Sequence, residues 1–212
     1  MLLVNGLVRP ATAAPEALVL ASTTDTGVKG NDYSFAPVLS ADAGTVVFTS
    51  QASNLDPADT DPLPDADVYA KDLTSGDITL VSATETGVAG NDDSFTAAVS
   101  ADGNRVLFLS AASNLHPADT NGEAHAYGKD LTTGAVMLAT ASDAGVPANR
   151  GQSYAAALSA DGSTVAFISA ATNLDPADRD GRLDVYVKDL ATGDVALVSP
   201  SAKGLQSHQR CN

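Results

Sequence analysis

The sequence has no tryptophan, only 5% aromatic residues and a single cysteine, Cys211. One thiol rules out an intrachain disulfide, so the fold is not a disulfide-stapled framework, and Cys211 reads as incidental rather than catalytic. With so few rings available, Ala, Val and Leu must fill the interior. Basic residues are scarce too: 11 against 26 acidic ones, a formal net charge of −15. Such a surface repels phosphate backbones and anionic membranes, which excludes nucleic acid as a partner. It suits cation binding and an extracytoplasmic location. No stretch approaches the roughly 18 apolar residues that span a bilayer, so no membrane span is expected. Nor does any window show apolar recurrence at helical spacing, and no regular helix is expected.

What the sequence does have is one unit written three times. Ser40-Ala41-Asp42, Ser100-Ala101-Asp102 and Ser159-Ala160-Asp161 stand 60 and then 59 residues apart. Asn54-Leu55, Asn114-Leu115 and Asn173-Leu174 follow, then Lys71-Asp72-Leu73, Lys129-Asp130-Leu131 and Lys188-Asp189-Leu190. A fixed period of this size marks stacked units that cannot bury their apolar faces alone. Within the third copy, four short runs rich in Val, Phe, Ile and Tyr are bounded by Gly, Asp and Asn, the pattern of strands joined by turns. Asp-Gly at the first turn (Asp102-Gly103, Asp161-Gly162) tolerates positive φ, and in the first copy Gly44 is expected to take that role one position later. Gly76, Gly134 and Gly193 are expected to close the third hairpin in the left-handed region. The second strand (Val46-Val47-Phe48, Val106-Leu107-Phe108, Val165-Ala166-Phe167) is apolar on both faces and needs a neighbour on each side.

Four antiparallel strands per repeat, packed radially, make an all-β fold, a β-propeller with three four-stranded blades per chain. The run Ser-Ala-Asp-Gly-x-x-Val-x-Phe-x-Ser, then Asn-Leu-x-Pro-x-Asp, then Asp-Val-Tyr-x-Lys-Asp-Leu-x-Thr-Gly resembles the WD-repeat-like β-propeller family of the bacterial TolB type. The resemblance covers roughly Glu16 to Ser201. It implies the fold, while the family's members serve variously as interaction platforms, peptidase gates and enzymes. The expected blades run over about 33–83, 93–142 and 153–200 within an array 16–201, with an extra outer-type strand over Glu16 to Ser22. Residues 1–15 read as a degraded or truncated export signal or a plain leader, and 202–212 as a disordered tail. Propellers close with about four to eight blades. Three blades therefore predict completion to six by a homodimer, unless the chain is a fragment of a longer propeller.

The loop entering each first strand and the loop between second and third strands should share one face. Nearest the axis stand Asn31 and Asp32, then Asn91, Asp92 and Asp93, with Arg150 in the third copy; Asn31, Asp32, Asn91 and Arg150 are candidate ligand contacts. The long loops carry carboxylates around glycine: Asp178, Asp180 and Asp184 in the third copy; Asp59, Asp61, Asp65 and Asp67 in the first. Hard oxygen donors in that pattern suit Ca²⁺, although an Asx-turn network would fold the same loop without metal. The second copy has Asp119, Asn121, Glu123 and His125, with His116 replacing another Asp. Imidazoles beside carboxylates suit Zn²⁺ or another divalent metal, or a general base.

Two functions follow. The first is a calcium-stabilised extracytoplasmic propeller that binds a protein, glycan or small-molecule ligand. The second is a metal-dependent hydrolase of a lactone, ester or phosphoester, with Asp92 and Asp93 on the axis and His116 as base, an analogy at the level of fold.

Overall fold

The computed structural model describes residues 18–60, 65–150 and 154–199. Among these are twelve strands in three antiparallel sheets and no helix. Blade 1 is β1 (Ser34–Leu39), β2 (Thr45–Ser50), β3 (Asp67–Asp72) and β4 (Ile78–Leu80), hydrogen-bonded in that order. Blade 2 repeats it with β5 (Ser94–Val99), β6 (Arg105–Ser110), β7 (His125–Asp130) and β8 (Val136–Leu138). Blade 3 is β9 (Tyr154–Leu158), β10 (Thr164–Ser169), β11 (Asp184–Asp189) and β12 (Val195–Leu197). The first strands, β1, β5 and β9, lie next to one another across the blades, so they form the inner edge.

Each blade has an aliphatic side and an aromatic side, and the core lies between blades. Val47, Val68, Ala70 and Val81 of blade 1 pack on Val106, Phe108, Tyr127 and Leu138 of blade 2. Leu107, Ala126 and Ala139 of blade 2 pack in the same way on Val165, Phe167 and Tyr186 of blade 3. Each blade has a near-parallel Phe–Tyr pair, with centroids 6.0, 5.6 and 5.5 Å apart. The second strand of blade 2, β6, is buried on both faces because it sits between blades 1 and 3.

The repeated motifs are turn and clamp chemistry. Ser40, Ser100 and Ser159 donate their hydroxyls to Asp42, Asp102 and Asp161, and accept the N–H groups of Thr45, Arg105 and Thr164. The Ser159 hydroxyl and the Ser163 N–H hold the Asp161 carboxyl down to about 2, and Asp42 and Asp102 shift the same way. A depressed folded-state pKa stabilises above the usual carboxylate range and loses that stabilisation as pH falls through the folded value. Melting temperature is therefore expected to fall as pH drops from about 4 towards 2. Ser159→Ala should flatten that fall; an unchanged profile would remove Asp161 from the account.

The buried lysines hold the chain entering each blade. Lys71 donates to the carbonyls of Thr23 and Thr24, Lys129 to Ala83 and Thr84, and Lys188 to Ala141, Ser142 and Gly193. The outermost strands have their outward N–H groups capped by carboxylates: Asp25 accepts from Ile78, Glu85 from Val136 and Asp143 from Val195. Acidic caps of this kind blunt an edge against pairing with other strands.

Two expectations need correcting. Residues 18–22 form no strand; the local pairing is an isolated Thr23–Lys29 bridge. An outermost strand needs the third strand of its own blade, and the described residues supply none ahead of β1. In the first turn of blade 1, Ala43 (φ 58) takes the left-handed conformation, and Gly44 does not. Gly103 and Gly162 occupy that position in blades 2 and 3, where a Cβ would stand 2.4 Å from Thr45 Oγ1 and 2.9 Å from Arg105 Cδ of the preceding blade. Ala43 is exposed, with no blade stacked before it, so a methyl group fits. Its backbone still costs roughly 1–2 kcal/mol, against roughly 0.5–1 kcal/mol for glycine's freedom when unfolded. Ala43→Gly should therefore raise the melting temperature by about 1–3 °C. A fall would show that the strain is absent.

Candidate functional site

The loops expected to share a face are bonded together. Asn31 donates its amide N–H to Asn54 and its side chain clasps Ser53; Asn91 does the same with Asn114 and Ser113. Asn149 repeats the clasp with Asn173 and Thr172. The Asp32 and Asp92 carboxylates each accept the next residue's N–H. Asp93 accepts from Ala66, while Ser94 donates to the Ala66 carbonyl, which ties the long loop of blade 1 to the inner strand of blade 2. The side chains of Asn31, Asn91 and Asp93 thus each serve the backbone of a loop.

His116 lies in the loop between β6 and β7, which Asn114 ties to Asn91. Its counterparts Asp56 and Asp175 accept the Leu80 and Leu197 N–H groups of the outermost strands. His116 Nδ1 accepts from Ala118, and the ring lines a groove of about 220 Å³ with Val136, Leu138 and Lys188. Asp92 and Asp93 precede β5, the innermost strand of the same blade, whereas the groove at His116 is lined by the outermost strand β8.

The long loop of blade 3 does converge. One carboxylate oxygen from each of Asp178, Asp180 and Asp184 lies within 4.8 Å of the others, with Asp178 and Asp184 buried and Asp180 exposed. Two ligands of one ion held at roughly 2.3–2.6 Å can stand up to about 4.6–5.2 Å apart, so these oxygens are spaced at the wide end of what a shared ion spans. The loop builds itself: Asp178 accepts the Asp180 N–H, Asp180 accepts the Arg182 N–H, and the Tyr186 hydroxyl donates to Asp178 Oδ2. Ser199 donates to Asp184 Oδ1 at 2.8 Å, but Asp184 Oδ2 is buried with no hydrogen-bond partner among the described residues. A buried carboxylate oxygen without a donor is costly. Gly181 (φ 66) sits against Arg150, whose Nη1 would stand 2.5 Å from an added Cβ. Arg150 thereby borders this loop from the linker between blades 2 and 3.

Blade 1 repeats part of the arrangement. Tyr69 donates to Asp59 (2.7 Å) and Ser82 to Asp67 (2.6 Å), while Asp61 lies outside the described residues. Blade 2 differs. Tyr127 donates to Asp119 Oδ2, and His125 stands where Asp184 does. Its Nδ1 lies 2.9 Å from Thr140 Oγ1 and its Nε2 3.0 Å from Asn121 Oδ1. Asn121 Nδ2 donates to the Ala148 carbonyl, so the amide oxygen faces the ring and requires a donor there. The proton is therefore on Nε2, and Thr140 donates to Nδ1. Burial pushes the imidazole below its usual pKa, against the opposing pull of Asp119 and Glu123, which favours the neutral ring. Glu123 is partly exposed, with its N–H bonded to Asn121 Oδ1. The tyrosine hydroxyls and the Ser82, Thr140 and Ser199 hydroxyls escaped the sequence reading. Their one signal was recurrence at the repeat spacing.

No family model matches the chain, and no curated protein does. Among solved structures, the β-propeller domain of the trilobed protease from Pyrococcus furiosus is similar, at 10% identity and a TM-score of 0.50, over 78% of this chain and 41% of that one. TolB from Acinetobacter baumannii is also similar, at 22% identity and a TM-score of 0.46, over 82% of this chain and 34% of that one. The chain thus spans between a third and a half of the length of these structures. Among the described residues no helix is long and apolar enough to cross a membrane. The chain has a β-propeller fold, carried as three consecutive four-stranded blades.

Proposed function

We propose that this chain is a calcium-stabilised, extracytoplasmic β-propeller module whose loop face binds a protein or a glycan. The observation that carries the reading is the convergence of Asp178, Asp180 and Asp184, together with a buried Asp184 oxygen that has no hydrogen-bond partner among the described residues. All three donors are hard oxygens, which favours Ca²⁺ over zinc. Calcium is expected to raise the melting temperature of the wild type, and chelation to lower it. Asp184→Asn should abolish the calcium response while keeping the shape of the side chain. A wild type indifferent to calcium and chelator would overturn the reading. A hydrolase site on the axis would draw on Asp92 and Asp93 with His116 as base, and the seat of His116 in a groove beside the outermost strand β8 disfavours it.

The free faces support ring completion by a second copy. Val185 on blade 3 is 38% exposed, whereas its counterparts Val68 and Ala126 are fully buried under the next blade. Blade 1 leaves Val46 partly exposed where Val106 and Val165 are buried under the preceding blade. Joining these faces head to tail repeats the blade-to-blade contact and closes six blades. A native mass spectrum at twice 21.3 kDa is the expected result; a monomer at all concentrations would exclude it.

A further inference from the structure

We infer that His125 is a built-in replacement for the cation, so that the long loop of blade 2 holds its shape without metal. The inference rests on the calcium reading of blade 3. The two loops superpose in sequence, Asp119-Thr120-Asn121-Gly122 on Asp178-Arg179-Asp180-Gly181, and in their anchors. In each, a tyrosine hydroxyl holds the first carboxylate and a hydroxyl from after the outermost strand holds the last side chain. What differs is the atom that this last side chain turns into the loop. In blade 3 it is Asp184 Oδ2, an acceptor with nothing to accept. In blade 2 it is the Nε2–H of His125, a donor 3.0 Å from Asn121 Oδ1, while Asp119 Oδ1, 3.8 Å away, stays buried without a hydrogen-bond partner among the described residues. The N–H offers there a partial positive charge, where a metal would offer its full charge in blade 3. The rest of the blade 2 loop is also less charged, since Asn121 replaces Asp180. The residue at this last position decides whether a loop of this kind takes a cation.

The test counts calcium by isothermal titration on the full chain, for the wild type and for His125→Asp, which writes Asp-x-Asn-Gly-x-x-Asp into blade 2. His125→Asp should bind one more calcium per chain than the wild type. It should also lose more of its melting temperature on chelation. Should His125→Asp fail to fold, the converse pair is read: Asp180→Asn with Asp184→His should melt higher in chelator than the wild type, because an N–H then fills the loop of blade 3. Equal calcium counts in the wild type and a folded His125→Asp would overturn the inference and leave the blade 3 site standing. A converse pair that melts no higher than the chelated wild type would overturn it too. No calcium in either protein would overturn the calcium reading and the inference with it. Zinc bound by the wild type and lost in His125→Ala would make His125 a ligand and overturn the inference alone.

Discussion

Replacing Phe108 with alanine is expected to destabilise the chain by about 3–5 kcal/mol, the largest effect of any single substitution considered. Phe108 is fully buried, stacked at 5.6 Å on Tyr127, and lies in the cluster that joins blade 2 to Val47, Val68 and Ala70 of blade 1. Its removal opens a cavity between blades rather than within one, and stacked repeats draw their stability from such interfaces. Blades 1 and 2 should separate at lower denaturant, with a broadened or biphasic transition. A loss below about 1 kcal/mol would mean that the cavity collapses freely, and that the blades do not depend on this contact.

Lys129→Met is expected to cost roughly 2–4 kcal/mol. The thioether keeps most of the apolar stem, so the change isolates the ammonium. That group is 5% exposed and donates to Ala83 and Thr84 at 2.9 and 3.0 Å. Burial lowers the pKa of Lys129, with Glu85 opposing the shift. The desolvation of the charge offsets part of what its hydrogen bonds contribute, which keeps the expected loss below the sum of two charge-assisted bonds. The two orphaned carbonyls belong to the linker that covers blade 2, so hydrogen exchange should rise first between residues 83 and 90. A uniform rise across blade 2 would contradict a clamp acting on the linker.

The fold was legible because each repeat states its turns and strands locally. Asp-Gly marked the first hairpin, Gly134 and Gly193 the third, and the doubly apolar Val106-Leu107-Phe108 announced a strand between neighbours. Less legible was whatever depends on groups distant in sequence. The Lys-Asp-Leu motif gave no sign that Lys129 reaches back 46 residues to Ala83. Ala43 was passed over for Gly44 because the crowding that forbids a side chain at Gly103 and Gly162 comes from the preceding blade. The acidic loop of blade 3 was visible as spacing, but the burial of Asp184 and the isolation of its Oδ2 are properties of packing. His116 and the Asp92-Asp93 pair lie about two dozen residues apart in the chain. Only packing shows that His116 sits in a groove beside the outermost strand while the aspartates lead into the innermost.

The most direct measurement is anomalous diffraction from crystals grown with calcium and collected at long wavelength. A peak is predicted at about 2.3–2.6 Å from oxygens of Asp178, Asp180 and Asp184, with none at His125. A blade 3 loop empty at saturating calcium, with Asp184 Oδ2 held by water or by a protein donor, would contradict the account.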